Sequence, residues 1–170
     1  MDSRRSMKKR LYIDMDGVLC DYKKSYDQEL RDNPLQPYPQ SQYGFFLNLE
    51  PILCSIESLN FLKEHFDVWI LTRPSVHNLS CYTEKAQWIR KHLGFEMQSK
   101  TIMCIDKSLL KGHFLVDDQV EHGQSDFEGK HIHFGSDDFK TWDEVVNYLM
   151  SNKDIMSVSK YMPNEFYWGC

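Results

Sequence analysis

Arg10-Leu11-Tyr12-Ile13-Asp14-Met15-Asp16-Gly17-Val18-Leu19 sets the reading of the whole chain. An apolar run, Leu11–Ile13, closes on two carboxylates one residue apart. The run is continuous rather than alternating, the pattern of a strand buried on both faces of a parallel sheet. Working outward, Asp67–Thr72, Thr101–Ile105, Phe114–Val116 and His131–Phe134 read as further short strands beside Arg10–Met15. Between several of them lie helical patterns. Pro51–Phe66 carries Ile52, Ile56, Leu59 and Leu62 at helical spacing, and Thr83–Leu93 carries Ala86, Ile89, Arg90 and Leu93. Thr141 and Glu144 form a capping box for a helix over Trp142–Leu149. Strands alternating with helices predict an α/β fold: a doubly wound, mostly parallel five-stranded sheet with helices on both faces.

The chain has 170 residues, enough for one domain with a single core. The stretch at about 21–50 breaks the alternation. Tyr22–Arg31 is polar and helical in pattern; Pro34, Pro37 and Pro39 follow, and then Tyr43-Gly44-Phe45-Phe46. It reads as a small helical cap inserted after the first strand. The tail, 152–170, bears Tyr161, Phe166, Tyr167 and Trp168, a composition suited to docking on the domain or on a partner. The net charge of −5 argues against a polynucleotide as the main partner, because phosphate backbones need a basic surface. A basic pocket for a small phosphorylated molecule remains compatible with it. The start, Met1–Arg10, is basic and lacks the apolar stretch of a signal peptide, and no run approaches the length of a membrane span. Cys20, Cys54, Cys81, Cys104 and Cys170 contain no CxxC pair and are odd in number, so reduced thiols and a cytoplasmic setting are expected.

Acidic or hydroxyl groups end three of the strands: Asp14 and Asp16, Asp117 and Asp118, and Thr72. Ligands of open parallel sheets bind beyond the carboxyl ends of the strands, so these groups are expected to meet at one edge. One such aspartate would be an ordinary turn or helix cap; five polar residues at three strand ends are harder to explain that way. They supply the parts of phosphoryl transfer. A carboxylate can be the nucleophile, and a second, with raised proton affinity, can shuttle a proton. Further carboxylates suit a hard divalent ion, and a hydroxyl and an ammonium can hold phosphate oxygens. Lys107, which opens the loop leading toward Asp117, is the leading ammonium.

Asp14-Met15-Asp16-Gly17-Val18-Leu19 resembles the first motif of the haloacid dehalogenase superfamily, and Thr72, Lys107 and Asp117-Asp118 fall in the order of its other three. Within it the chain looks most like the 5′(3′)-deoxyribonucleotidases, from about Leu11 to Leu149. The supporting pieces are Asp14–Asp21, Phe45–Pro51, Ile70–Thr72, Tyr82–Lys85 with Trp88, Asp106-Lys107 and Leu115–Asp118. The resemblance implies a magnesium-dependent phosphomonoester hydrolase that works through an aspartyl phosphate on nucleoside monophosphates. Asp14 would be the nucleophile and Asp16 the general acid and then base. Asp14, Asp117 and the backbone carbonyl of Asp16 would hold Mg2+, with Asp118 behind them. Thr72 and Lys107 would hold phosphate, helped by Lys85, and Tyr22 and Phe46 would line the nucleoside pocket; Arg73, outside the resemblance, is a further candidate cation for the phosphate. The insertion between Asp16 and Thr72 is shorter than in the animal enzymes, and Arg73 stands where a small residue is common. Both departures bear on substrate identity more than on reaction type.

Two other readings compete. A phosphatase of sugar phosphates or another metabolite would keep the fold and change the substrate, although an aromatic cap suits a flat base better. A phospho-accepting receiver domain also places acidic residues, a Thr and a Lys on a doubly wound sheet. There the acidic pair comes first in the chain, and the proton-shuttling second carboxylate is absent. The histidines show no zinc-ligand spacing and read as structural or surface groups.

Overall fold

The computed structural model describes residues 8–153. Five strands, β1 (Arg10–Ile13), β2 (Asp67–Thr72), β3 (Thr101–Met103), β4 (Lys111–Asp117) and β5 (Glu128–His133), form one sheet in the order β3-β2-β1-β4-β5. Every pair is parallel. The first three strands run from the centre to one edge; the chain then crosses back to lay β4 on the other side of β1. The strand order therefore reverses between β1 and β4, the place where open sheets leave a crevice.

The helices are α1 (Tyr22–Asp32), α2 (Ser55–His65), α3 (Cys81–Ser99) and α4 (Trp142–Ser151). The α2 helix starts later than its periodicity predicts, because the backbone before it is used elsewhere. Pro51 bridges to Cys20, and the Ile52 N–H donates to the Leu19 carbonyl at 2.9 Å. The predicted end of α3 at Leu93 coincides with a break: Gly94 sits at φ 80°, ψ −178°, and helical geometry resumes beyond it. The capping box of α4 is formed as expected.

The two faces of the sheet are covered differently. Leu11, Ile13, Val68, Ile70, Phe114 and Val116 share one large core with Leu59 and Leu62 of α2, Trp88 and Ile89 of α3, and Trp142 and Val145 of α4. The opposite face has a small cluster, Tyr12, Leu71, Leu115 and Phe127, backed by Trp69, Ile102, Cys104 and Leu110. No residue of the described α-helices enters that cluster. This corrects the expectation of helices on both faces. The crossovers on this side, residues 104–110 and 118–127, are shorter than a helical crossover requires, and hold only a 3-10 turn, Lys107–Leu109.

The stretch 21–50 consists of α1, a 3-10 turn at Pro39–Ser41 and irregular chain. None of α1 is buried. The stretch is tied down at its ends: the Asp21 N–H donates to the Glu50 carbonyl at 2.8 Å, and the buried indole of Trp88 donates to the Leu49 carbonyl at 2.7 Å. Cys20, Cys81 and Cys104 are free thiols; Cys54 is not among them, so reduced thiols are met at three positions. No described helix is long and apolar enough to cross a membrane. The expectation for the tail beyond Lys153 lies outside the described residues.

Candidate active site

The β1–β4 ladder continues one residue past β1, where the Asp14 N–H donates to the Val116 carbonyl at 2.9 Å. That bond brings Asp14 level with Asp117, the last residue of β4, across the point of reversal. Beyond it the chain turns back at once. The Met15 carbonyl accepts from the N–H groups of Leu19 (2.8 Å) and Cys20 (3.0 Å), so Met15–Cys20 closes as a tight loop over the strand ends. Gly17 takes φ +76° there, and a Cβ on it would fall 2.4 Å from Asp118 Oδ2. Only glycine satisfies both demands. The indole of Trp142 secures the loop from α4, donating to the Val18 carbonyl at 3.0 Å.

Two buried lysines divide the carboxylates between them. Lys107 Nζ lies 2.9 Å from Asp14 Oδ1 and hydrogen-bonds Asp117 Oδ2. Lys85, on α3, is fully buried; it donates to Asp16 Oδ2 (2.7 Å), Thr72 Oγ1 (2.8 Å) and the Arg73 carbonyl (2.5 Å), which uses all its protons. Burial works against the charge on each ammonium, and the neighbouring aspartates more than offset it, leaving both above the ordinary lysine value. Asp16 is pushed up by burial, opposed by Lys85. Burial, then the neighbouring Asp14, pushes Asp117 up to about 7 against the pull of Lys107. Burial pushes Asp118 up to about 6.

Carboxylate oxygens of Asp14, Asp117 and Asp118 all lie within 4.8 Å of one another. Asp118 Oδ1 is buried without a hydrogen-bond partner, and Asp14 Oδ1 meets only the Lys107 ammonium, at 2.9 Å. Like charges this close, with an acceptor left over, fit a hard divalent cation bound through oxygen. Asp118, expected behind the ligands, offers a carboxylate oxygen to the same cluster as Asp14 and Asp117. The Asp16 side chain is turned away to Lys85, at 2.7 Å.

These groups open into a cleft of about 640 Å3, within the usual range for small-molecule sites. Asp14, Asp16, Lys107, Asp118, Tyr22 and Phe46 all line it. Phe46 is 1% exposed; its ring lies 6.2 Å from that of Tyr22, and Lys85 Nζ is 5.1 Å from its centroid. Arg73 lines the cleft with Nη1 3.0 Å from His122 Nε2. Thr72 and Lys85, expected at the phosphate, do not line it; they lie buried behind Asp16.

Sequence reasoning missed the residues that hold this arrangement. Gln119 donates its backbone N–H to Asp117 Oδ1 (2.9 Å) and its side-chain amide to Asp118 Oδ2 (2.8 Å); buried Gln124 donates to Asp117 Oδ1 at 3.0 Å. A glutamine in a loop carries no sequence signal of this kind. His131 and His133, read as structural or surface groups, pair through Nε2 with the carbonyls of Asp117 (3.2 Å) and Asp118 (3.0 Å). Their alternation on a strand beside the acidic pair was the available cue. Glu84, in the quoted Tyr82–Lys85, is buried and accepts the N–H groups of Gly44 (2.8 Å) and Phe46 (3.0 Å).

A parallel sheet of this order, with this acidic cluster at its switch point, is of the haloacid dehalogenase class. The family model described as 5′ nucleotidase, deoxy (Pyrimidine), cytosolic type C protein matches residues 29–147. A protein of Vibrio phage KVP40, provisionally assigned as a 5′(3′)-deoxyribonucleotidase, is 33% identical over 157 residues, covering 88% of this chain and 89% of its own. The human cytosolic-type 5′(3′)-deoxyribonucleotidase is 28% identical over 141 residues, covering 65% of this chain and 70% of its own. The 5′(3′)-deoxyribonucleotidase of Bacillus subtilis is 28% identical over 149 residues, covering 75% and 86%. The chain belongs to this 5′(3′)-deoxyribonucleotidase family of the haloacid dehalogenase superfamily.

Proposed function

We propose that the chain is a magnesium-dependent phosphatase of nucleoside monophosphates, with pyrimidine deoxyribonucleotides, named in the family description, as the first substrates to test. The observation that carries this reading is the meeting of Asp14, Asp16, Lys107 and an aromatic wall in one cleft at the switch point of the sheet. Asp14 attacks phosphorus and becomes an aspartyl phosphate. Asp16, whose proton affinity is raised by burial, protonates the departing alkoxide. It then takes a proton from the water that cleaves the aspartyl phosphate. Lys107 and Arg73 face the cleft and compensate the phosphate oxygens. Thr72 and Lys85 act from behind, by fixing Asp16. Asp14, Asp117, Asp118 and the Asp16 carbonyl would hold Mg2+, which when bound neutralises the carboxylates and polarises the phosphate. Tyr22, in the 21–50 stretch that we read as a cap, stacks on the base, backed by the buried ring of Phe46. A cytoplasmic location, a small-molecule substrate and no polynucleotide or membrane partner go with this reading.

The test is phosphate release from a panel of nucleoside monophosphates and hexose phosphates with Mg2+. Higher kcat/KM on deoxyribonucleoside monophosphates supports the proposal. Preference for a hexose phosphate sinks its substrate half, and phosphorylation of the protein without turnover would point to a receiver domain.

A further inference from the structure

Gln40 stands apart from the groups used above. It lines the same cleft as Asp14, Lys107, Tyr22 and Phe46. Its Oε1 is buried and has no hydrogen-bond partner. Its backbone, in the Pro39–Ser41 turn, is fixed: the buried Asn78 amide donates to the carbonyls of Gln40 (3.0 Å) and Gln42 (3.2 Å) from the loop before α3. An acceptor withdrawn from bulk water and left unmet is costly, and a turn of the Gln40 side chain into the cleft it lines would let an entering N–H satisfy it.

A carboxamide presents an acceptor beside a donor, the complement of a base edge that offers an N–H beside an oxygen. The aromatic wall can hold a flat ring by its face, but stacking tolerates every base. Reading the edge needs a polar group. A hydrophobic wall distinguishes poorly between rings, whereas a buried hydrogen-bonding group rejects a ligand that fails to pair with it. Lys23, Arg73 and Lys107, the lysine and arginine side chains of the same cleft, are donors only and cannot accept from a ring N–H.

We infer that Gln40 is a specificity-determining residue: its Oε1 accepts the imide N–H of a uracil or thymine base while its amide donates to the neighbouring ring oxygen. The inference rests on the nucleotidase reading and deepens it. The experiment compares thymidine 5′-monophosphate, its N3-methyl analogue and 4-nitrophenyl phosphate on the wild type, Gln40→Leu and Gln40→Glu. The readout is the ratio of kcat/KM on each nucleotide to that on the generic ester, so a general loss of folded enzyme cancels. In the wild type the methyl group lowers the ratio about tenfold or more, as expected for a lost buried hydrogen bond. Gln40→Leu lowers the thymidine ratio by a similar factor and treats the two nucleotides alike. Gln40→Glu keeps the acceptor and so keeps part of the discrimination. If Gln40→Leu still discriminates as the wild type does, or if the wild type does not discriminate, Gln40 is not the reader, and the nucleotidase reading stands. If the wild type cleaves the generic ester and neither nucleotide, the nucleotidase reading falls and this inference falls with it.

Discussion

Lys85 and Lys107 are both buried, yet they have different work. Lys107 faces the cleft beside Asp14 and Asp117. Lys107→Ala is expected to lower kcat about 10²–10³-fold, as for a lost oxyanion donor, with near-normal kcat ruling the role out. Lys85 acts through Asp16. It pulls that carboxyl down against burial, so Lys85→Met raises the proton affinity of Asp16. The base step needs Asp16 ionised, so the rising limb of the pH–kcat profile moves to higher pH. A profile that stays in place would separate Lys85 from Asp16. Gly17 is the third telling position: Gly17→Ala puts a Cβ into Asp118 in a left-handed turn, and is expected to lower Tm and abolish activity together. Asp14, Asp16, Asp117 and Lys107 were legible in the sequence because the end of an apolar strand is a defined place. Gln119, Gln124 and Gln40 were not, since a polar residue in a loop acquires meaning only from what the fold brings beside it.

At the scale of elements, the strands were readable from their apolar runs, and the helix ends less so. The α2 start was misplaced because Pro51 and Ile52 bond to the Met15–Cys20 loop rather than to a helix, a tertiary effect with no local signature. The second face of the sheet lost its expected helices to short connections. The same kind of long-range tie joins α3 to the 21–50 stretch. Glu84 accepts two backbone N–H groups there, one of them from Phe46, while Lys85 on the next turn position reaches Asp16. One helix thus ties the backbone of Phe46 and the side chain of Asp16 to adjacent residues. Glu84→Ala leaves two buried donors unmet. It is expected to raise KM for nucleotides about tenfold while kcat on 4-nitrophenyl phosphate changes little; equal losses on both substrates would mean that the tie serves only the fold.

For the whole molecule, the acidic cluster makes stability depend on pH and, on the proposed reading, on Mg2+. Asp117 and Asp118 are pushed up to about 7 and about 6, well above the ordinary aspartate value. The folded metal-free protein therefore holds protons that the unfolded chain releases near pH ~4. Their contribution is fully present below that pH and is lost as pH rises through about 6–7. A cation reverses the preference by favouring the ionised form. Mg2+ at a hundred times its Kd would add about 2.7 kcal/mol. At about 2–4 °C per kcal/mol that is a readable rise in Tm, larger at pH 8 than at pH 5.5, where protons compete. No rise at either pH would remove the metal from the site. The central claim, that Asp14 carries the phosphoryl group and Asp16 moves the protons, is tested most directly by rapid mixing of Asp16→Ala with 4-nitrophenyl phosphate and Mg2+. Nitrophenolate leaves without an acid's help, so the first step proceeds and the second stalls. The account predicts a burst near one equivalent of enzyme, then slow turnover, with one phosphoryl group on the protein at Asp14 by mass spectrometry. Steady turnover at the wild-type rate, with no burst and no phosphorylated Asp14, would contradict it.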